Sequence, residues 1–249
     1  MTRIPSAATP IAFVLAFLAL ASPGVSCAQT SDDSPGEASP LVVMADFNRD
    51  GILDLAQVTA PEKDPSRPAI LTVMLGSKDG KFQPATSTPA LGMHPAVLAV
   101  GDFNRDGNPD LIVGDAGGSV LLFLGDGKGN LAPAGEIARV SSIASIAVGD
   151  FNRDGILDLV ISDPRSNTAT ILFGDGHGAF LRAWSFTLPM QGVAYHLAAA
   201  DFNGDGIPDL AVTNDDQDTF EVLLGNGNGT FTRAPELSHL RDPNSHCAT

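Results

Sequence analysis

From residue 41 onward the apolar residues come in short runs rich in Val, Ile, Leu and Ala, each closed by Gly, Asp, Asn or Pro. That pattern predicts β-strands joined by tight turns; Ala96–Val100, Leu111–Val113 and Val120–Leu124 are examples. Nothing beyond the first thirty residues keeps apolar positions at i, i+3, i+4 and i+7, free of Gly and Pro, for long enough to make a helix.

The strand pattern repeats. Asp46–Leu55 (DFNRDGILDL), Asp102–Leu111 (DFNRDGNPDL), Asp150–Leu159 (DFNRDGILDL) and Asp201–Leu210 (DFNGDGIPDL) align without gaps. Each is followed by a glycine-rich turn: LTVMLGSKDGKF from Leu71, LLFLGDGKGNL from Leu121, TILFGDGHGAF from Thr170 and EVLLGNGNGTF from Glu221. A unit of about fifty residues with some four strands is the size of a propeller blade. The expected fold is therefore all-β and β-propeller-like, with four blades of about four antiparallel strands at about 41–90, 95–140, 143–190 and 193–235. Four units can close as a small ring or stay an open arc whose uncovered flank invites a partner or self-association. Pro61–Pro68 reads as a surface insert in the first unit, and residues 236–249 as a tail.

The acidic segments carry the candidate chemistry. Asp46, Asn48, Asp50 and Asp54 fall at positions 1, 3, 5 and 9 of a tight loop, with Gly51 at position 6 and the carbonyl of Ile52 at position 7. Alternate side chains of a curling loop converge, and three carboxylates plus a carboxamide offer hard oxygen ligands of the kind Ca²⁺ takes. The same roles fall to Asp102, Asn104, Asp106, Asn108 and Asp110; to Asp150, Asn152, Asp154, Ile156 and Asp158; and to Asp201, Asn203, Asp205, Ile207 and Asp209. Phe47, Ile52 and Leu55 are expected to face the core. Turn chemistry alone accounts for one Asp-Gly pair, but not for three mutually repelling carboxylates within nine residues, four times over. Arg49, Arg105 and Arg153 stand at position 4, where they would partly compensate an empty loop, and Gly204 replaces them in the fourth. An EF-hand needs Glu at position 12 and flanking helices; position 12 here is Gln57, Val113, Ile161 and Val212, between strands.

The pairing of D-F-N-x-D-G-x-x-D-L with L-L-G-x-G-x-G-x-F resembles the FG-GAP or VCBS repeat of bacterial exported proteins and integrin α-subunit heads, over residues 41 to 235. The resemblance implies a β-propeller with one Ca²⁺ loop per blade, up to four ions in all, used for adhesion, ligand recognition or carbohydrate binding. Such propellers generally have seven blades, whereas this chain shows four units.

The N-terminus bears on location. Arg3, the apolar run Ile11–Ala21, and the small residues ending Val25-Ser26-Cys27-Ala28 have the order of a secretory signal peptide. Residues 1–28 are read as that signal and 29–40 as a flexible linker, which places the protein outside the cell, in the periplasm or on the cell surface. The run is too short to span a bilayer, so no membrane span is expected after removal of the signal. A lipoprotein alternative would acylate Cys27, but Gly24 stands where such a site needs a large apolar residue.

Composition narrows function further. A net charge of −15 without a basic cluster is the wrong footprint for nucleic acid. Two Cys, 27 and 247, make no disulfide framework, and Cys247 loses its only partner when the signal is removed. The glycine-rich turns lie between strands and read as hairpins rather than phosphate loops. His94, His177, His196, His239 and His246 occupy non-equivalent places, there is no G-x-S-x-G, and Asp215, Asp216 and Asp218 form a solvated acidic loop. The resulting expectation is a non-catalytic, exported, calcium-binding module for protein or cell-surface recognition. The alternative is a lectin, in which Trp184 and Tyr195 stack on a sugar ring.

Overall fold

The computed structural model describes residues 41–59, 69–87, 94–189, 195–214 and 219–234. Residues 1–28, read above as a signal and containing Cys27, residues 29–40, read as a linker, Pro61–Pro68, Asp215, Asp216 and Asp218, and residues 236–249 with His239, His246 and Cys247 lie outside them, as does the side chain of Tyr195.

The described chain is sixteen strands in four antiparallel sheets, each in simple sequential order. The first blade is β1 (Leu41–Ala45), β2 (Asp54–Thr59), β3 (Ile70–Gly76) and β4 (Phe82–Ser87). The second is β5 (Pro95–Gly101), β6 (Asp110–Asp115), β7 (Ser119–Gly125) and β8 (Leu131–Arg139). The third is β9 (Ser145–Gly149), β10 (Asp158–Asp163), β11 (Thr168–Gly174) and β12 (Phe180–Thr187). The fourth is β13 (Tyr195–Ala200), β14 (Asp209–Asn214), β15 (Thr219–Gly225) and β16 (Phe231–Arg233). Each acidic loop joins the first two strands of its blade, and each glycine-rich turn joins the last two. Among the described residues no helix is long and apolar enough to cross a membrane.

Because successive side chains point to opposite faces, each blade presents one apolar row to the blade before it and another to the blade after. The forward rows, set by strand register, are Val43–Ala56–Val73, Ala99–Ile112–Leu122 and Ala147–Val160–Ile171. The backward rows that meet them are Val100–Leu111–Phe123, Val148–Leu159–Leu172 and Ala199–Leu210–Leu223. Three cores result, each shared by two consecutive blades. Each buried Val, Leu or Ile contributes about 1.5–3 kcal/mol, so these shared cores hold the stack together.

The strands record which faces are covered. β6 and β10 are buried almost throughout, since both their faces meet a neighbour, whereas β2 alternates between buried and half-exposed positions. The first strands of consecutive blades also lie against one another, β1 on β5, β5 on β9 and β9 on β13. Among the described residues no core joins the fourth blade to the first, so the blades form an open arc.

Candidate metal centre and blade junctions

All four acidic loops are built alike. The position-1 carboxylate accepts hydrogen bonds from the N–H groups of positions 5 and 6, as Asp46 does from Asp50 and Gly51 at 3.0 and 2.8 Å; Asp102, Asp150 and Asp201 repeat the pair. Position 5 accepts from the N–H of position 7 at 2.8 Å in every loop. Its other oxygen takes the Nδ2–H of the position-3 Asn, for example Asn48 to Asp50 at 2.9 Å. The glycine at position 6 has φ near +80° in all four loops, a conformation that disfavours any side chain and lets the chain turn back under the carboxylates.

Position 9 does something the sequence reading missed. Asp54, Asp110, Asp158 and Asp209 are fully buried. One oxygen of each accepts the N–H of the glycine that opens the second turn of the same blade: Gly76, Gly125, Gly174 and Gly225, at 2.7 to 3.0 Å. The other accepts an N–H near the start of the acidic loop, from Phe103, Phe151 and Phe202 at 2.9 Å and from Asn48 in the first blade. This carboxylate therefore pins the two turns of a blade together. A β-carbon on Gly76, Gly125, Gly174 or Gly225 would stand only 2.1–2.3 Å from the position-8 carbonyl oxygen, so the close approach requires glycine. Burial raises the Asp54 carboxyl above its ordinary range and pushes Asp110 and Asp158 up to about 6, against the pull of their backbone hydrogen bonds. Asp201, in the solvent, is held below its ordinary range by the N–H of Gly206.

The donor set of each loop, three carboxylates and one carboxamide, suits a hard divalent cation. Within each loop the position-1 and position-5 carboxylates also accept hydrogen bonds from backbone N–H groups. Among the described residues no three Asp, Glu, His or Cys side chains converge on a common point. Phe47 is buried as expected, while Ile52 and Leu55 are only half-buried.

The arginines do not compensate their own loops; they reach the next blade. The side chain of Arg49 lies against Gly127 of the second blade's glycine-rich turn, and its Nη1 is 3.4 Å from Asn108 Oδ1. Arg105 lies in the same way on Gly176, and Arg153 on Gly227. A β-carbon on any of these glycines would come within 2.7–3.1 Å of the arginine Cδ. The three arginines adopt φ of 59° to 64°, a left-handed conformation that costs a non-glycine residue about 1 kcal/mol. The phenylalanine at position 2 crosses the same junction. Phe103 meets Phe180 edge-on at 5.8 Å, Phe151 meets Phe231 at 5.7 Å, and Phe47 shares a core with Leu131. Its carbonyl accepts an N–H from the next turn, Gly129 to Phe47 at 3.0 Å and Gly229 to Phe151 at 2.8 Å.

The remaining candidates settle into the scaffold. The glycine-rich turns are hairpins, closed for example by Asp126 N–H to Asn130 O at 3.2 Å. Trp184 meets Phe173 edge-on at 5.6 Å and covers Gly229 of the fourth blade. His94, His177 and His196 lie in three separate places, before β5, in the third turn and in β13. A groove of about 570 Å³ between the second and third blades is lined by Arg139, Ser141, Asp163, Thr170 and Arg182 among others. Its arginines are engaged, Arg139 with Glu136 and Ser119 and Arg182 with Ser185.

No curated protein matches this chain. Among solved structures, the chain is similar to BBS1N in a crystal structure of its complex with ARL6DN, soaked with lead. The TM-score is 0.52 at 17% identity, over 84% of this chain and 60% of that one. The chain thus spans 60% of the length of that relative, and at such identity the likeness is one of fold. A fructofuranosidase from Schwanniomyces occidentalis, complexed with fructose, aligns at TM-score 0.49 and 10% identity, over 75% of this chain and 43% of that one. The model of the FG-GAP-like repeat matches residues 46–113, 102–161, 150–212 and 201–248. Each of the first three matches runs from one acidic loop, through that blade's glycine-rich turn, into the second strand of the next blade. With four such matches in tandem over most of the sequence, on four blades that carry both turns, the chain belongs to the FG-GAP-like repeat family.

Proposed function

We propose that this protein is a calcium-dependent, non-catalytic recognition module, exported by its N-terminal signal and acting by contact with a protein or cell-surface partner. The observation that carries the reading is the fourfold recurrence of one oxygen-rich donor set at the same place in each blade, with the neighbouring arginine of the first three directed to the next blade. In this reading Asp46, Asn48, Asp50, Asp54 and the Ile52 carbonyl, with their counterparts in the other three loops, hold one Ca²⁺ each. The ion would supply charge neutralisation where carboxylates crowd and would tie the first two strands of each blade.

The fold supports the contact role: BBS1N, which shares it, was solved in complex with a protein, ARL6DN. Trp184, which motivates the lectin alternative, is engaged at the junction of the third and fourth blades, so protein contact is the reading carried forward. The affinity expected of such loops in an extracellular setting is about 10⁻⁴–10⁻³ M.

Calcium titration calorimetry on metal-stripped protein, with thermal melts alongside, tests this. Near four ions per chain and a clear rise in melting temperature are expected, because an ion that prefers the folded state stabilises it by mass action. No heat of binding and an unchanged melt would reduce the loops to the turn chemistry already visible in their hydrogen bonds.

A further inference from the structure

The two ends of the arc are unlike each other. Met44, Leu55 and Met74 lie side by side across β1–β3. They hold the register positions that Val148–Leu159–Leu172 hold in the third blade, where the row is buried against the blade before it. Among the described residues no blade covers this row in the first blade: Met44 is 38% exposed, and Ile70 and Phe82, on the same face, are exposed as well. At the far end, Ala198–Ala211–Val222 takes the positions of the forward row Ala147–Val160–Ile171, with Ala198 exposed, Ala211 half-buried and Val222 buried. Beside it Phe202 stands 43% exposed. One end thus presents bulky, adaptable side chains and the other small ones flanked by a phenylalanine, a large-on-small match.

The polar parts match too. At each internal junction a loop arginine lies on a turn glycine. At the free ends the equivalent residues are Gly204 in the loop and Lys78 in the turn, so a basic side chain and a glycine again pair, with their roles exchanged. Asp201 and Asp205 on the exposed fourth loop give the lysine an acidic partner.

We infer that the first blade of one copy of this chain docks on the fourth blade of a second copy. Phe82 then meets Phe202 as Phe180 meets Phe103, and Lys78 reaches the acidic loop across Gly204. Made at both ends, the contact closes two four-blade arcs into a ring of eight blades with two-fold symmetry. Eight is the upper end of ordinary propeller sizes, and closed symmetric assemblies are the rule for homo-oligomers. One bond of the internal junctions is missing. The N–H of Gly80, whose counterparts Gly129 and Gly229 donate to the neighbouring loop, donates instead to Ser77 O at 2.8 Å. The joint between copies is therefore weaker than the joints within a chain, and it is reversible.

Sedimentation equilibrium of the purified chain across the micromolar range, in calcium and in chelator, tests the inference. The mass should move from one chain to two and stop there. Phe202→Ser and Lys78→Glu change side chains exposed in the single chain, so the melting temperature read at dilution where the chain is single should hold while each raises the dissociation constant about tenfold or more. A single-chain mass at every concentration in both conditions overturns the inference. So does growth beyond two chains, or a dimer indifferent to both substitutions.

Discussion

The third and fourth acidic loops, DFNRDGILDL and DFNGDGIPDL, differ at two positions and share the hydrogen bonds donated by the N–H groups of positions 5, 6 and 7, the fourth adding one from Gly204 to Asp201. Yet Phe151 is buried and Phe202 is not. The difference lies outside the loops: among the described residues a blade packs on the third one and none on the fourth. What a residue does within its blade is set by its own repeat, and what it does at the blade surface is set by the next repeat. The structure separates these two kinds of position, and substitution can too.

The largest contrast is expected at that phenylalanine. In dilute protein, where copies are apart, Phe151→Ala empties a buried site between two blades and should cost about 3–5 kcal/mol in urea unfolding, whereas Phe202→Ala should cost a small fraction of that. Equal losses would mean that the fourth blade's face is covered in solution by something the arc does not contain.

The position-9 pin should show no such contrast, because it acts inside the blade. Asp158→Asn and Asp209→Asn each turn an acceptor of two backbone N–H groups into one that faces a donor with a donor. Each should cost about 1–3 kcal/mol, and by similar amounts. A loss confined to the third blade would make the pin a junction feature after all.

A smaller effect is expected from the left-handed residue at position 4. Gly204 has φ +78°, so Gly204→Ala should destabilise by about 1 kcal/mol in thermal or urea melts. Arg153→Gly relieves the same strain but gives up the contact with Gly227, so its melt should shift less than the strain relief alone predicts.

The gentlest probe is pH, in chelator. Asp110 and Asp158 are raised from 3.8 to about 6, so the folded state holds their protons more tightly than the unfolded chain does. Their contribution is full below about pH 4 and is lost as pH climbs through 6. The lowered Asp201 acts in the opposite sense, contributing above its ordinary range and losing that contribution as pH falls. Urea midpoints of the metal-free protein should therefore decline between pH 4 and 7. That slope should flatten in the double variant Asp110→Asn, Asp158→Asn.

Much of this was legible in the sequence, for identifiable reasons. Strand runs and turn residues are local, so sixteen strands in four sheets follow from the spacing of Gly, Asp and Pro. The turn at position 6 was also legible, since Gly51 and Gly155 take a positive φ that other residues disfavour. What the sequence could not show were contacts made across the stack. Arg49 looked like a counter-charge for its neighbours Asp46 and Asp50, because only those lie near it along the chain. Its place against Gly127 depends on how one sheet sits on the next. The bond from Gly76 to Asp54 spans two strands and is fixed by their register. Comparison of the repeats held a clue to the arginine: Lys78 and Gly204 break the Arg–Gly pairing at the first and fourth blades, whose outer faces meet no other blade among the described residues.

The junction from Phe47 and Arg49 to Gly127 and Gly129 has a consequence for how such a chain can change in length. Every internal junction presents the same two surfaces, so removing residues 102–149 would leave Phe47 and Arg49 facing Phe180 and Gly176 in place of Leu131 and Gly127. A recombination between two Asp-Phe-Asn codon runs thus subtracts or adds a whole blade without creating an unfamiliar surface. Arc length becomes a quantity that duplication can tune one step at a time while both terminal faces keep their chemistry.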